Sequence, residues 1–147
     1  MSKVKALYHV VFATKRREMT IRAEHRIDVY RYIWSLIREM KCKLIRIGGI
    51  ANHIHMLVDL HPDVNLSQFM RSIISKSAGW LNSDDRFPHF DGWAADYYAS
   101  SVSPELGPRV EAYIRSQEQH HSTSNFHSEL EELYKNAGLW LHPKDLV

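Results

Sequence analysis

A single cysteine, Cys42, stands in 147 residues, so neither an internal disulfide nor a cysteine zinc cluster can form within one chain. A reduced compartment fits that scarcity, with Cys42 read as a packing residue. No apolar run approaches the roughly 20 residues needed to cross a bilayer, and the N-terminal MSKVKALYHVVFATKRR lacks the layout of a cleavable signal. A cytoplasmic protein with no membrane partner is expected. Net charge is small as well, +2 with histidine neutral, which by itself implies no polyanionic partner. Only 5 prolines occur, scattered as punctuation and not gathered into a linker. With no internal repeat or low-complexity tract and a length common for one compact unit, residues 1–147 are expected to form one domain.

What is present is unevenly spread. Ten histidines add positive charge below neutral pH. Lys15, Arg16 and Arg17 form a basic triplet near Arg22 and Arg26, while Glu129, Glu131 and Glu132 cluster near the other end. The triplet is a candidate phosphate contact, the alternative being a solvated loop that is merely basic.

Periodicity divides the chain into elements. Ala6 to Thr14 is rich in β-branched and aromatic residues and reads as a first strand that delivers the basic triplet at its end. From about Thr20, the residues Ile27, Tyr30, Ile33, Trp34, Ile37 and Met40 recur at helical steps. Lys43 to Ile50 and His53 to Leu60 read as a hairpin, with Gly48, Gly49 and Asn52 near its turn. Leu66 to Leu81 carries a second helical stripe that Asn65 or Ser67 can cap. A loop from Ser83 to Gly92 precedes a short strand from Tyr97 to Ser103; a third helix begins near Pro108, and a last one runs from about Ser128 to Asn136. Trp34 and Trp80, on these stripes, are expected in the core. The order β-α-β-β-α-β-α-α is that of an α+β, ferredoxin-like (RRM-like) antiparallel sheet with helices on one face. The helix bearing Tyr113 is an addition available to the other face.

Two groups of residues carry chemistry. His53 and His55 flank Ile54 on a predicted strand, so both imidazoles leave the same face, about 7 Å apart along it. They can converge on a divalent ion, though polar residues on a half-exposed strand would read the same way. Tyr113 and Gln117 lie just over one helical turn apart, on one helix face. Gln117 is therefore a candidate third, oxygen-donating ligand, and such a set suits Mn²⁺ or Mg²⁺. A core tyrosine and a solvated glutamine are the plainer alternative.

Taken together, four stretches resemble the single-tyrosine HUH transposases of small insertion sequences, especially their REP-associated relatives. They are Tyr8-His-Val-Val-Phe-Ala-Thr-Lys15, Asn52-His-Ile-His-Met-Leu-Val58, the region Trp93 to Ser103, and Tyr113-Ile-Arg-Ser-Gln117 followed by His120 and His121. The resemblance implies that His53, His55 and Gln117 bind Mg or Mn and that Tyr113 attacks single-stranded DNA at a hairpin or palindromic element. A 5′-phosphotyrosine intermediate and a homodimer are implied with it. Since a free phenol costs about 4 kcal/mol to deprotonate at pH 7, the metal or water must help. The sequence departs from the family's Trp-Gln-x-Gly-Tyr and Phe-Ser-Val-Ser patterns, reading Trp93-Ala-Ala-Asp-Tyr97 and Ser100-Ser-Val-Ser103, and Ser116 stands where Asn is common. Lys15, Arg16, Arg17, Arg71, Lys76 and His120 are candidate DNA contacts. Two readings of other classes compete: a nucleic-acid-binding module without cleavage, and a metal-dependent hydrolase that uses activated water and for which a carboxylate base is not evident near the histidine strand.

Overall fold

The computed structural model describes residues 2–120 and 125–139, without the side chains of Glu118 and His120. Its elements are β1 (Leu7–Ala13), α1 (Ala23–Glu39), β2 (Lys43–Ile50), β3 (His53–Asp59), α2 (Leu66–Asn82), β4 (Tyr98–Val102), α3 (Gly107–Arg115), α4 (Gln117–His120) and α5 (Phe126–Asn136). The strands form one antiparallel sheet in the order β2-β3-β1-β4, so the expected ferredoxin-like α+β arrangement is the one found. Both central strands are buried on both faces, which is why they read as nearly continuous apolar runs.

One face is dry. Val10 and Phe12 of β1 and Ile54, Met56 and Val58 of β3 pack against Val29, Ile33 and Ile37 of α1 and Phe69 and Ile73 of α2. Each such side chain contributes about 1.5–3 kcal/mol on burial. Asn65 is the residue that caps α2, its side-chain oxygen accepting from the Gln68 N–H at 2.8 Å.

The opposite face is covered by α3 and α5. A Cβ at Gly48 would stand 2.6 Å from the Ile114 carbonyl oxygen, so α3 sits directly on the β2 backbone and only glycine permits that approach. Phe126 and Leu130 of α5 pack on Val11, Ala13 and Tyr98.

Several expectations need correction. Helix α3 stops at Arg115, because Ser116 (φ −97°, ψ 16°) leaves helical geometry and Gln117 opens a separate short helix; Tyr113 and Gln117 do not share one continuous helix. Helix α1 starts at Ala23, since the N–H groups of Thr20 and Ile21 are drawn to the Ala51 carbonyl in the β2–β3 turn. Helix α5 begins earlier than Ser128, capped by Asn125. Trp34 is not core: it is 46% exposed, with the Arg38 guanidinium 4.8 Å over its ring. The buried stripe of α1 is instead Arg26, Val29, Ile33, Leu36 and Ile37. Trp80 is half-buried and stacks on Tyr32. Among the described residues, no helix is long and apolar enough to cross a membrane.

Candidate metal centre and nucleophile

Strand β3 is central, and its alternation sends His53 and His55 to the α3/α5 face while Ile54 enters the dry core, all three fully buried. In register, His53 faces Ala13 and His55 faces Val11 on β1, with Gly48 of β2 beside His55. Neighbouring strands thus fix the two imidazoles. Each ring is also fixed through its second nitrogen. The Asn52 side-chain oxygen can only accept, so His53 Nδ1, 2.8 Å away, carries a proton and Nε2 presents a lone pair. His55 Nδ1 lies 2.9 Å from His9 Nε2. Burial, then the neighbouring His55, lower His9 to about 3 against an opposing pull from Glu129. His9 is therefore neutral at pH 7 and can accept from His55, which frees His55 Nε2 to face inward. Such outer hydrogen bonds are how proteins orient metal-binding histidines.

Facing these nitrogens is a residue that sequence reading did not single out. Glu129 of α5 is 4% exposed, with Oε1 3.1 Å from His55 Nε2 and 3.4 Å from His53 Nε2. Its Oε2 accepts from Gln117 Nε2 at 3.0 Å and from the Tyr113 hydroxyl in a short hydrogen bond. Gln117 Oε1 lies 3.1 Å from His53 Nε2. Burial alone would raise the Glu129 carboxyl; when His53 and His55 carry inward protons as well, their hydrogen bonds outweigh burial and hold the group ionised, below the usual carboxylate range. For Tyr113, burial first and the Glu129 carboxylate second raise the phenol well above the ordinary tyrosine range.

The donor set fits a divalent cation. The inward nitrogens of His53 and His55 and a Glu129 oxygen lie within 4.8 Å of one another, all buried. With neutral imidazoles, His53 Nε2 would meet the oxygens of Gln117 and Glu129 lone pair to lone pair, a conflict that a shared cation or a proton removes. Two imidazoles, a carboxylate and an amide oxygen suit a borderline-to-hard ion and leave room for further oxygen ligands.

Of the other candidate residues, Lys15, Arg16 and Arg17 reach the neighbourhood. They form a tight 3₁₀ turn after β1, in which Arg16 (φ 58°) and Arg17 (φ 56°) both adopt the left-handed region, at about 1–2 kcal/mol each. The turn is held by Thr14 Oγ1 donating to the Glu18 carbonyl at 2.7 Å and by Asn52 Nδ2 donating to the Arg17 carbonyl at 3.4 Å. Asn52 thus joins the basic turn to a histidine of the metal set. Arg16 pairs with Glu18 and Asp91, and Arg17 lies 5.0 Å over the Phe126 ring. Arg71 and Lys76 are not brought here; both are exposed on α2, across the sheet. The side chain of His120, and all of His121, lie outside the described residues. Within the single chain described, the Tyr113 hydroxyl and both histidines meet at Glu129.

Known proteins resemble this chain. Residues 2–117 match the family model described as "Transposase IS200 like". Transposases for insertion sequence element IS200 from Salmonella typhimurium and Salmonella typhi are each 27% identical over 115 residues, covering 75% of this chain and 75% of theirs. A candidate transposase from Deinococcus radiodurans R1 superposes with a TM-score of 0.59 at 21% identity, over 79% of this chain and 93% of its own. A REP-associated tyrosine transposase, solved bound to a REP hairpin, gives a TM-score of 0.61 at 14% identity, over 100% of this chain and 94% of its own. At such identities these two structures speak for the fold. The family match ends at Gln117, so Glu129 lies beyond it.

Proposed function

Because the chain belongs to the IS200-like transposase family, we propose that it nicks and rejoins single-stranded DNA at hairpin or palindromic elements through a covalent 5′-phosphotyrosine at Tyr113. The observation that carries this reading is the convergence of the Tyr113 hydroxyl, Gln117 and both imidazoles on the single buried carboxylate of Glu129. His53, His55, Gln117 and Glu129 would hold Mg²⁺ or Mn²⁺. Such an ion, when bound, polarises a phosphate oxygen and favours a phenolate.

The residues divide the work. Tyr113 Oη attacks phosphorus and the bond from phosphorus to the 3′ oxygen breaks, leaving a 5′-phosphotyrosine; the departing oxygen takes a proton from water and becomes a 3′-hydroxyl. Glu129 Oε2, which already accepts the hydrogen bond of the phenol, orients Oη for the attack, and the phenol proton leaves to water as the attack proceeds. Rejoining is the reverse attack, so the bond energy is kept and no nucleoside triphosphate is consumed. The raised phenol keeps Tyr113 protonated at rest, which limits reaction to a site holding both metal and DNA. In this reading residues 1–147 act as one domain, in the cytoplasm where DNA is met, and as a homodimer, which light scattering tests.

One observation favours a second reading. Glu129 supplies at the histidines the carboxylate base that a metal-dependent hydrolase requires. Labelled hairpin DNA incubated with Mn²⁺ or Mg²⁺ and resolved on a denaturing gel separates the alternatives. A metal-dependent, slow-migrating adduct that disappears in Tyr113→Phe is expected. Cleavage that survives Tyr113→Phe without an adduct would establish the hydrolase instead, and binding without cleavage would establish a recognition module.

A further inference from the structure

Helix α3 carries Arg109 and Tyr113 four residues apart within its continuous stretch, Gly107–Arg115, a spacing that sets two side chains on one helix face. Both line a cavity of about 410 Å³ between α3 and α5, whose wall includes His9, Glu129 and Glu132. That volume falls in the range of about 300–1,000 Å³ usual for ligand sites. Arg109 is the only lysine or arginine on the wall, and His9 is neutral there at pH 7. The Arg109 side chain is exposed and, among the described residues, forms no ion pair. Arg16, Arg22, Arg31 and Arg86 each pair with an aspartate or glutamate. Arg109 instead keeps its charge available, one helical turn from the nucleophile.

Seating a divalent ion beside Glu129 leaves one positive charge at the site, while a phosphodiester and the phenolate attacking it bring two negative ones. Glu132, on the same wall, adds to the repulsion and helps to hold the Tyr113 phenol above its ordinary range. A further cation offsets this, and the planar guanidinium, with its paired N–H donors, matches the two non-bridging oxygens of a phosphodiester. We propose that Arg109 binds the non-bridging oxygens of the phosphodiester that Tyr113 attacks, so that the cavity between α3 and α5 seats the scissile phosphate. The inference rests on the single-stranded DNA reading above and adds no bond change to it. The guanidinium stays charged and holds phosphorus in front of Oη while negative charge builds on the phosphate oxygens. The basic triplet after β1 lines a separate cavity and does not reach this wall.

The test is a double-mutant cycle between protein and DNA. Fluorescence anisotropy of the full chain, with Mn²⁺, is read on hairpin oligonucleotides in which a neutral methylphosphonate replaces one phosphodiester at successive positions. In the wild-type protein one position is expected to lose about tenfold to a hundredfold in affinity, the range for a hydrogen bond to a charged group. Arg109→Ala, a surface change checked by thermal melting, should weaken unmodified DNA about tenfold or more and reduce the penalty of neutralisation at that position alone. Arg109→Lys, which keeps the charge without the fork, should fall between the two. Equal penalties in wild type and Arg109→Ala at every position overturn the proposal. So does coupling at a phosphate other than the one where the adduct forms, read from the fragment length on the denaturing gel with the unmodified oligonucleotide. Coupling at one position without any adduct would remove the transposase chemistry and keep the Arg109 phosphate site, whereas an adduct without coupling would remove Arg109 and leave that chemistry standing.

Discussion

His53 and Ile54 are neighbours on one strand, equally buried, and belong to different worlds. Ile54 meets α1 and α2 across a face built mainly of apolar contacts, where area removed from water sets most of the energy and similar volumes substitute for one another. His53 and His55 meet a face where each polar atom needs a particular partner, because a buried donor or acceptor without one costs about 1–3 kcal/mol. Glu129, Gln117, Asn52 and His9 provide those partners. The helical face therefore carries the fold, and the α3/α5 face carries an arrangement that is costly to assemble and specific in what it can hold.

The largest effects come from setting the two neighbours against each other. His53→Ala should lower metal-dependent adduct formation about a thousandfold or more, the several kcal/mol that a catalytic ion contributes, while circular dichroism still reports a folded chain. Ile54→Ala should cost about 2–5 kcal/mol of stability in urea melts, with adduct formed per folded molecule near wild type. A folded but inert Ile54→Ala protein would break the separation between faces.

An intermediate effect sharpens it. Asn52 donates to the basic turn and accepts from His53, so Asn52→Ala should weaken Mn²⁺ about tenfold to a hundredfold, read from the Mn²⁺ concentration that raises the melting temperature. Unchanged Mn²⁺ affinity would show that β3 alone orients the ring.

The two faces also differed in how far the sequence revealed them. Alternation put His53 and His55 on one side of a strand from local periodicity alone; the spacing that grouped Tyr113 with Gln117 assumed one continuous helix, whereas the break at Ser116 leaves Gln117 on a separate short one. Glu129 escaped because it stood out in the sequence only as one of three glutamates clustered near the end. The available signal was its position on the Phe126, Leu130 and Leu133 side of α5, where Glu131 and Glu132 are exposed. Trp34 was misread for a related reason. Helix α1 carries two adjacent rows at helical spacing, and only the packing of α2 and the sheet decides which is buried. The end of α3 at Ser116 was illegible too, since no proline or glycine marks it.

The smallest effect lies on the helical face. Arg86 joins the loop after α2 to α1, its guanidinium 2.6 Å from Asp28 and 2.9 Å from Asp84, with its Cζ 5.9 Å from the centre of the Trp80 ring. Hydrogen bonds from the Arg86 side chain, then from its backbone N–H, lower Asp84 from 3.8 to about 2. The folded chain thus releases this proton more readily than the unfolded chain, so the contribution to stability is complete above pH 3.8 and fades as pH falls toward 2. Because both half-buried groups still reach solvent, water and salt screen the pair. Between pH 4 and 2, Asp84→Asn should flatten the fall in melting temperature only slightly, and at pH 7 adduct formation should be unchanged. A loss of adduct in Asp84→Asn would mean that the helical surface bears on the histidine face through the sheet, and the two faces would then have to be treated as one mechanical unit.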